Sequence, residues 1–150
     1  MTGSPEFDFN KANAAQLAVH LRACDEVFPP PLSERVNVSD YVTKVAGRAQ
    51  CFEAWVNCEL VGLVAAYCND PKRYTAFITS VSVLPIWQGQ GIASRLMEIC
   101  IGYVRNLGFK RIVLEVDGSN VAAVKLYKRH GFTNGGSNSQ SQNMILDLAE

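Results

Sequence analysis

One stretch near the middle of this chain predicts its central elements. It reads Val81-Ser82-Val83-Leu84-Pro85, then two further residues, then Gln88-Gly89-Gln90-Gly91-Ile92-Ala93. The first half ends a predicted strand over residues 75–84, which is rich in β-branched residues and stops at Pro85. The second half opens a predicted helix over residues 91–106, with Gly108 after its last turn. The stretch therefore predicts a strand, a turn of small residues and a helix.

A turn of this kind suits a phosphate group. Its small residues let the backbone approach a ligand closely and point several N–H groups at one place. The helix start adds unpaired N–H groups and the positive end of its dipole, which favour a pyrophosphate. The turn is not a G-x-G-x-x-G fingerprint, because Ser94 stands where the third glycine would be, and it lacks the Gly-Lys-Ser/Thr of P-loops. From these residues alone, a glycine-rich connector that binds nothing is an equal alternative.

The elements around this stretch follow from hydrophobic period and from capping residues. Upstream we predict a helix over 14–27 capped by Asn13, an irregular segment over 32–38, and a second helix that is capped by Ser39 or Asp40 and runs to about Gly47. A hairpin of strands 51–57 and 60–67 follows. Downstream we predict a strand over 111–116, a helix over 120–129 capped by Ser119, a polar loop over 135–142 and a last strand over 144–148. The crossover helix makes strands 75–84 and 111–116 parallel in an otherwise antiparallel sheet. The predicted fold class is α/β, with helices on both faces of a mixed sheet.

Length and composition fit one globular domain. The chain has 150 residues, of which 48% are apolar and 19% charged, and its formal net charge is zero. A zero net charge argues against a general nucleic-acid binder, and no apolar run is long enough for a membrane span. Residues 1–7 look like a vector-derived cloning scar, so we assign the domain to residues 8–150.

The cysteines predict neither a metal site nor a disulfide framework. Their number is odd and no C-x-x-C pair occurs. Each has apolar neighbours in the sequence, so we expect buried, reduced thiols and a cytoplasmic protein. The five are Cys24, Cys51, Cys58, Cys68 and Cys100.

Two motifs of this chain resemble the GNAT family of N-acetyltransferases. Residues 88–93 fit the family signature Q/R-x-x-G-x-G/A, and residues 81–83 fit the end of its fourth strand. Residues 114–132, which read LEVDGSNVAAVKLYKRHGF, fit the family pattern L-E-V-x-x-x-N-x-x-A-x-x-L-Y-x-x-x-G-F. The likeness is sharp over residues 79–132, where the chain is most similar to the acetyltransferases of ribosomal-protein N-terminal alanines. It implies a mostly antiparallel sheet whose one parallel pair splays apart at the cofactor site.

The resemblance implies acetyl-CoA as co-substrate and direct attack of an amine on its thioester. It assigns backbone groups of Val81 and Val83 to the pantetheine arm, which they would bond as a neighbouring strand does. A backbone N–H near Val81 would polarise the thioester carbonyl. Asn120 would reach the pantetheine or phosphate region, unless it only bonds locally at its helix start. The residues implied around the phosphates are Gln88, Gly89, Gln90, Gly91, Ile92, Ala93 and Ser94.

Two residues are candidates for the proton transfers. Tyr127 matches the family tyrosine that acts as general acid on the thiolate; its alternative is an aromatic core residue. Glu115 is the leading base candidate, because it is the one charge inside an apolar strand, where partial burial would raise its pKa. It precedes Tyr127 by twelve residues, as in the alanine acetyltransferases. Its alternatives are a solvent-facing residue, an ion-pair partner, or a water chain in its place. Many family members carry a glutamate on the fourth strand instead, where this chain has residues 79–82 (TSVS).

The motifs concern only the acetyl donor, so they give little information about the acceptor. We expect the acceptor site to involve residues 28–38, the second helix and the loop 69–74. Three hypotheses stand: a small-molecule amine acetyltransferase, a protein N-terminal acetyltransferase, and a non-catalytic acyl-CoA-binding module. We expect a monomer or homodimer with no metal, nucleic acid or membrane partner. His20 is expected on a polar helix face without a role, and His130 at a helix C-terminus in a structural role.

Overall fold

The computed structural model describes residues 3–25, 31–137 and 141–148. Besides a 3-10 turn at Pro85–Trp87, its helices are α1 (Ala14–Ala23), α2 (Leu32–Arg35), α3 (Val38–Arg48), α4 (Ile92–Asn106) and α5 (Val121–Arg129). Its strands are β1 (Glu6–Phe9), β2 (Gln50–Val56), β3 (Glu59–Tyr67), β4 (Thr75–Val83), β5 (Arg111–Asp117), β6 (Thr133–Ser137) and β7 (Ser141–Asp147).

The strands form one mixed sheet in the order β1-β2-β3-β4-β5-β7-β6. Among the strands of the described ranges, only β4 and β5 run parallel, and every other neighbouring pair is antiparallel. This confirms the predicted fold class, the β2–β3 hairpin and the parallel pair joined through α4. None of the helices in the described ranges has both the length and the apolar character of a membrane-spanning segment.

Helices cover both faces of the sheet and divide the core in two. α4 and α5 pack on one face, and α1 and α3 pack on the other, which we call the α1/α3 face. β2 and β3 are buried on both faces, which explains their nearly continuous apolar sequences. β5 alternates instead: Ile112, Leu114 and Val116 are buried towards α4 and α5, so Glu115 lies on the α1/α3 face.

The helices before β2 differ from their predictions in three details. α1 ends at Ala23 rather than continuing to residue 27, and residues 26–30 lie outside the described ranges. The segment predicted to be irregular contains the short helix α2. α3 is capped by Asn37, not by Ser39 or Asp40, because the Asn37 side chain accepts from the Asp40 backbone N–H at 3.0 Å. That bond places Ser39 and Asp40 inside the first turn.

The first residues of the chain take part in the sheet, although the sequence analysis set residues 1–7 aside. Glu6 and Phe7 belong to β1 and pair with Trp55 and Ala54 of β2. Phe9 continues the strand and packs its ring 5.3 Å from that of Phe52. The exclusion of Glu6 and Phe7 from the fold was therefore wrong, while a vector origin for residues 1–7 stays a prediction.

The C-terminal part contains the hairpin β6–β7, which was not predicted because its sequence is polar. Residues 135–142 were predicted to be a loop, but β6 and the start of β7 occupy much of this range. β6 is an exposed edge strand, so it lacks the apolar alternation that predicts strands. Gly135 fits closely against β7, because a Cβ atom there would lie 2.5 Å from Ile145 Cδ1 and would require that side chain to shift. α5 is also capped differently: Asn120, not Ser119, accepts from the Ala123 N–H, while Ser119 bonds to Asp117.

The cysteines are all free, and one of them is not buried. Cys24, Cys51 and Cys100 lie in the core and Cys68 is half-buried. Cys58 is exposed, because it sits in the β2–β3 turn with a positive φ of 67°. The expectation of five buried thiols was therefore wrong at Cys58. A cytoplasmic location stays a prediction.

Glu53 ties the entry to α1 to the sheet, and its isosteric replacement should destabilise the fold. It is fully buried, and its carboxylate accepts from the backbone N–H groups of Lys11 and Ala12 and from Trp55 Nε1, each at 3.0 Å. An amide in its place must turn its NH2 towards one of these donors. We expect Glu53→Gln to lower the free energy of unfolding by about 1–3 kcal/mol in urea denaturation. The exposed Glu59→Gln is the control, and equal midpoints for the two variants would contradict the prediction.

Candidate active site

The parallel pair β4–β5 opens at its C-terminal end. Its pairing runs from Thr75 opposite Arg111 to Ile78 opposite Leu114. Beyond this point β4 keeps only β3 and β5 keeps only β7 as a partner in the described ranges. A bulge in β4 lies at the same place, since Ala66 pairs with Ile78 and Ala65 with Ser80. The backbone groups of residues 79–83 that point towards β5 are thus left for another partner.

A cavity of about 390 Å³ lies at this opening. It is bounded by the end of β4, the glycine turn, the start of α4, and α5. Nine of the ten predicted cofactor residues line it, as does Tyr127; they are Val81, Val83, Gln88, Gly89, Gly91, Ile92, Ala93, Ser94 and Asn120. Gln90 lies in the turn but is exposed and does not line the cavity. Six further residues that were not predicted also line the cavity: Ser82, Trp87, Ala122, Ala123, Leu126 and Arg129.

The glycine turn has the geometry of an anion site. Gly89 and Gly91 have φ values of 80° and 82°, in the left-handed region that favours glycine. Gly91 is the N-cap of α4, and no side chain caps this helix start. α4 has 15 residues, so the N–H groups of its first turn and its dipole both act at the cavity. These features fit the pyrophosphate of a nucleotide cofactor.

Two predicted cofactor residues already have local partners. Gln88 Nε2 donates to the carbonyl oxygen of Val83 at 3.1 Å, which joins the turn to the end of β4. Asn120 Oδ1 accepts from the Ala123 N–H at 3.2 Å as the cap of α5. Both residues line the cavity as well, so the local bonds orient them there.

Tyr127 lies in the cavity wall and is well buried. It is 7% exposed, and its ring packs 6.0 Å from that of Phe132. Burial raises the pKa of the Tyr127 hydroxyl above its ordinary value. The hydroxyl therefore stays protonated at neutral pH and can act as a donor. Tyr127 was expected to be either a general acid or an aromatic core residue. Its position is compatible with both, since it packs in the core and also borders the cavity.

Glu115 does not have the buried environment expected for it. Its side chain is exposed on the α1/α3 face, opposite Asn143 of β7, and it does not line the cavity. The expectation of partial burial was wrong, because the alternation of β5 turns Glu115 away from the packed helices α4 and α5. It remains a carboxylate on the opposite face of the opening.

The α1/α3 face of the opening carries polar groups that sequence reasoning missed. His20 is buried rather than on a polar surface, and its Nε2 lies 2.8 Å from Ser82 Oγ. The Tyr41 hydroxyl donates to the Thr79 carbonyl at 2.9 Å, which ties α3 to the bulge in β4. A sequence signal for His20 did exist, because its position three residues after Leu17 places it on the apolar side of α1.

Two other expectations concern residues away from this face. The loop 69–74 was expected near the acceptor, but it precedes Thr75 at the closed end of the β4–β5 pair. Arg73 in this loop donates to the carbonyl of Leu107 after α4, so the loop is fastened there instead. His130 ends α5 as predicted, and its Nε2 lies 2.9 Å from Ser94 Oγ at the start of α4. No group of three His, Cys, Asp or Glu residues within 3–25, 31–137 and 141–148 could hold a metal ion.

Comparisons with known proteins agree with this geometry. The model of the Acetyltransferase (GNAT) family matches residues 15–132. N-alpha-acetyltransferase 30 of Schizosaccharomyces pombe is 36% identical over 84 residues, which are 54% of this chain and 55% of that protein. A mycothiol acetyltransferase of Geodermatophilus obscurus is 41% identical over 86 residues, 55% of this chain and 28% of its own length. The chain thus spans about half or less of these two relatives.

A solved structure extends the likeness to the whole fold. The ribosomal-protein-S18-alanine N-acetyltransferase of Escherichia coli superposes with a TM-score of 0.78 at 18% identity, covering 98% of this chain and 96% of that one. The family match covers most of the chain, including the opened strand pair, the glycine turn and Tyr127. This chain therefore belongs to the GNAT family of N-acetyltransferases, enzymes whose co-substrate is acetyl-CoA.

Proposed function

We propose that this chain transfers the acetyl group of acetyl-CoA directly to a primary amine of a small molecule. The observation that carries the proposal is the opening between β4 and β5, which has an anion site at one end and Tyr127 in its wall. The pantetheine arm carries amide groups, so it can bond to the open edge of β4 as an added strand would. This arrangement directs the thioester towards the bulge at Thr79.

The phosphates would be held mainly by backbone. The first N–H groups of α4 and the turn at Gly89 and Gly91 point at one place, and the helix dipole adds to their attraction. Arg129 lines the same cavity and brings a positive charge to its rim. Ser94 lies within the first turn of α4, where its hydroxyl is held by His130.

Transfer requires that the amine lose protons and that the sulfur gain one. The Val81 N–H lies on the open edge and would polarise the thioester carbonyl. Glu115, on the α1/α3 face, would take the first proton from the incoming ammonium group. Tyr127 would protonate the sulfur as the C–S bond breaks, because its hydroxyl is kept protonated by burial. The donor thus enters from the α4/α5 side and the amine from the opposite side.

The preference for a small acceptor rests on α3. Tyr41 of this helix bonds directly to Thr79 of β4, where the two strands part. α3 therefore lies close over one side of the opening, which favours a compact acceptor over an extended chain crossing the sheet. The zero net charge of the protein also disfavours strongly charged acceptors such as polyamines.

A protein N-terminus is the second candidate acceptor. It is favoured by the 36% identity with N-alpha-acetyltransferase 30 and by the twelve-residue spacing of Glu115 and Tyr127. An amine and peptide panel, read out by release of free CoA, separates the two candidates. We expect turnover of at least one small amine. Turnover of peptides alone would contradict the small-molecule acceptor and support the protein N-terminus. Acetyl-CoA binding without turnover of any amine or peptide would contradict both candidates.

Gly91→Val tests the anion site directly. Valine is strained at a φ of 82°, and the strain and the added side chain both act where the phosphates would lie. We expect acetyl-CoA affinity to fall by about 10- to 100-fold in isothermal titration. Gly102→Val on α4 is the control, since a Cβ atom there meets nothing within 4 Å and its φ is ordinary. Equal affinities for the two variants would refute the phosphate assignment.

A further inference from the structure

His20 and Ser82 form a buried pair that the function proposed above does not use. His20 on α1 is 2% exposed and Ser82 on β4 is 3% exposed. His20 Nε2 lies 2.8 Å from Ser82 Oγ, and His20 Nδ1 lies 2.9 Å from the carbonyl oxygen of Leu60. Both ring nitrogens therefore have a defined partner.

These partners determine where the protons are. A carbonyl oxygen only accepts, so Nδ1 carries the ring proton and donates it to Leu60. In the neutral ring Nε2 has no proton, so it accepts the hydroxyl proton of Ser82. The result is a serine hydroxyl bonded to a histidine whose other nitrogen is held by an acceptor, which is the arrangement that activates serine oxygens in enzymes.

Ser82 also lies where an attacking amine would arrive. It lines the cofactor cavity and follows Val81, whose N–H is assigned to the thioester carbonyl. It pairs with Leu63, which packs under α1 and α3, so the Ser82 side chain points to the face from which the amine approaches. β4 offers no carboxylate for this task, since residues 79–82 read TSVS.

We infer that Ser82 and His20 form a proton relay for the amine nitrogen, in which Ser82 contacts the substrate and His20 acts through Ser82. The inference rests on the function proposed above and supplies a step that it leaves open. An ammonium group loses one proton before attack and a second as the C–N bond forms. Glu115 takes the first proton, and the relay takes the second.

The relay conserves protons and charge. As the nitrogen bonds to the acetyl carbon, its surplus proton passes to Ser82 Oγ while the Ser82 proton passes to His20 Nε2. The C–S bond breaks, and the thiolate takes the proton of Tyr127. The imidazolium of His20 then gives its proton back through solvent to Tyr127, so the net release is the one proton taken by Glu115.

The surroundings of His20 suit this role. Burial lowers the pKa of His20, and the hydrogen bonds to Leu60 and Ser82 oppose that effect, so the ring is neutral at neutral pH. Among the described residues, the titratable group that faces it is the thiol of Cys24, the residue after α1, with Sγ 3.8 Å from Nε2. Burial raises the pKa of Cys24 to about 11, so this neighbour is uncharged. From β3 and β4 the ring meets the Leu60 carbonyl and the Ser82 hydroxyl, and neither carries a charge.

The test uses the full chain, an amine that it acetylates, and the pH dependence of kcat from about pH 5 to 9. The variants are Ser82→Ala, Ser82→Thr, His20→Asn and the double variant Ser82→Ala/His20→Asn. His20→Asn keeps a donor for Leu60, and Ser82→Thr keeps the hydroxyl. Tyr103→Phe serves as the control, because Tyr103 packs against Phe9 and does not line the cavity. The affinity for acetyl-CoA is measured for each variant by isothermal titration.

We expect Ser82→Ala and His20→Asn each to lower kcat about 100-fold. Each should also remove the decrease of kcat at low pH that protonation of His20 causes in the wild-type chain. Acetyl-CoA affinity should stay within about twofold, and the double variant should lose no more than either single one. Ser82→Thr should recover most of kcat, and Tyr103→Phe should keep both the wild-type kcat and the wild-type decrease of kcat at low pH. Wild-type kcat and pH dependence in Ser82→Ala would overturn the relay while leaving the proposed function intact, even if His20→Asn does not fold. Absence of turnover by the wild-type chain on any amine would instead overturn the proposed function, and the relay with it.

Discussion

Replacing Tyr127 by phenylalanine should lower kcat by about 100- to 10,000-fold while acetyl-CoA still binds. The substitution removes one oxygen from a ring that is 7% exposed and packed against Phe132, so the fold should persist. What is lost is the donor that protonates the leaving sulfur. Because burial raises the pKa of this hydroxyl, Tyr127 should stay protonated through neutral pH in the wild-type chain. Its ionisation should therefore cause no decrease of kcat in that pH range. Steady-state CoA release and acetyl-CoA titration measure the two effects separately.

Tyr103→Phe is the matched control for this prediction. Tyr103 lies on α4, where its ring packs 5.1 Å from that of Phe9, and it does not line the cavity. We expect its kcat to equal that of the wild-type chain. If Tyr127→Phe also turned over at the wild-type rate, Tyr127 would be a core residue only, and another donor would have to serve the sulfur.

Phe132→Ala should lower the free energy of unfolding by about 3–5 kcal/mol. Phe132 follows α5, is 2% exposed, and belongs to the core between α4, α5 and the sheet. Its removal leaves a cavity beside Tyr127, so catalysis should suffer as well as stability. Urea unfolding followed by circular dichroism measures the first effect.

Phe7→Ala is the control for Phe132→Ala, because it removes an aromatic ring that is not buried. Phe7 lies in the edge strand β1 and is 41% exposed, so its replacement should cost less than about 1 kcal/mol. Similar unfolding midpoints for Phe132→Ala and Phe7→Ala would show that the site of Phe132 collapses without a cavity.

The donor half of the site could be predicted from sequence because its signals are local. Residues 75–94 contain these signals one after another: a strand of β-branched residues, glycines with positive φ, and a helix start without a side-chain cap. Each is determined by near neighbours along the chain, and nine of the ten predicted cofactor residues line the cavity as a result. Gln90 does not, since the turn points its side chain to solvent. The hairpin β6–β7 was missed for the opposite reason, because an exposed edge strand has no apolar period.

The face opposite the donor depends on contacts that are distant in sequence. His20 bonds to Ser82 across 62 positions, and Tyr41 bonds to Thr79 across 38. The spacing of His20 from Leu17 indicated the apolar side of α1, but no local pattern indicates which helix covers which part of β4, so its partner Ser82 could not be predicted. Glu115 was misjudged for a related reason, since the single apolar run around it does not reveal that one face of β5 packs against α4 and α5 while Glu115 on its other face is exposed.

The family and the fold class follow from the sequence alone, and so do the residues that line the glycine turn, because these depend on spacing within continuous segments. The point where β4 and β5 part, the side chains that face the opening from α1 and α3, and the burial of each of them are visible only in the folded chain. Strand pairing and helix packing assign every side chain to one face of the sheet, and that assignment is a property of the assembled core.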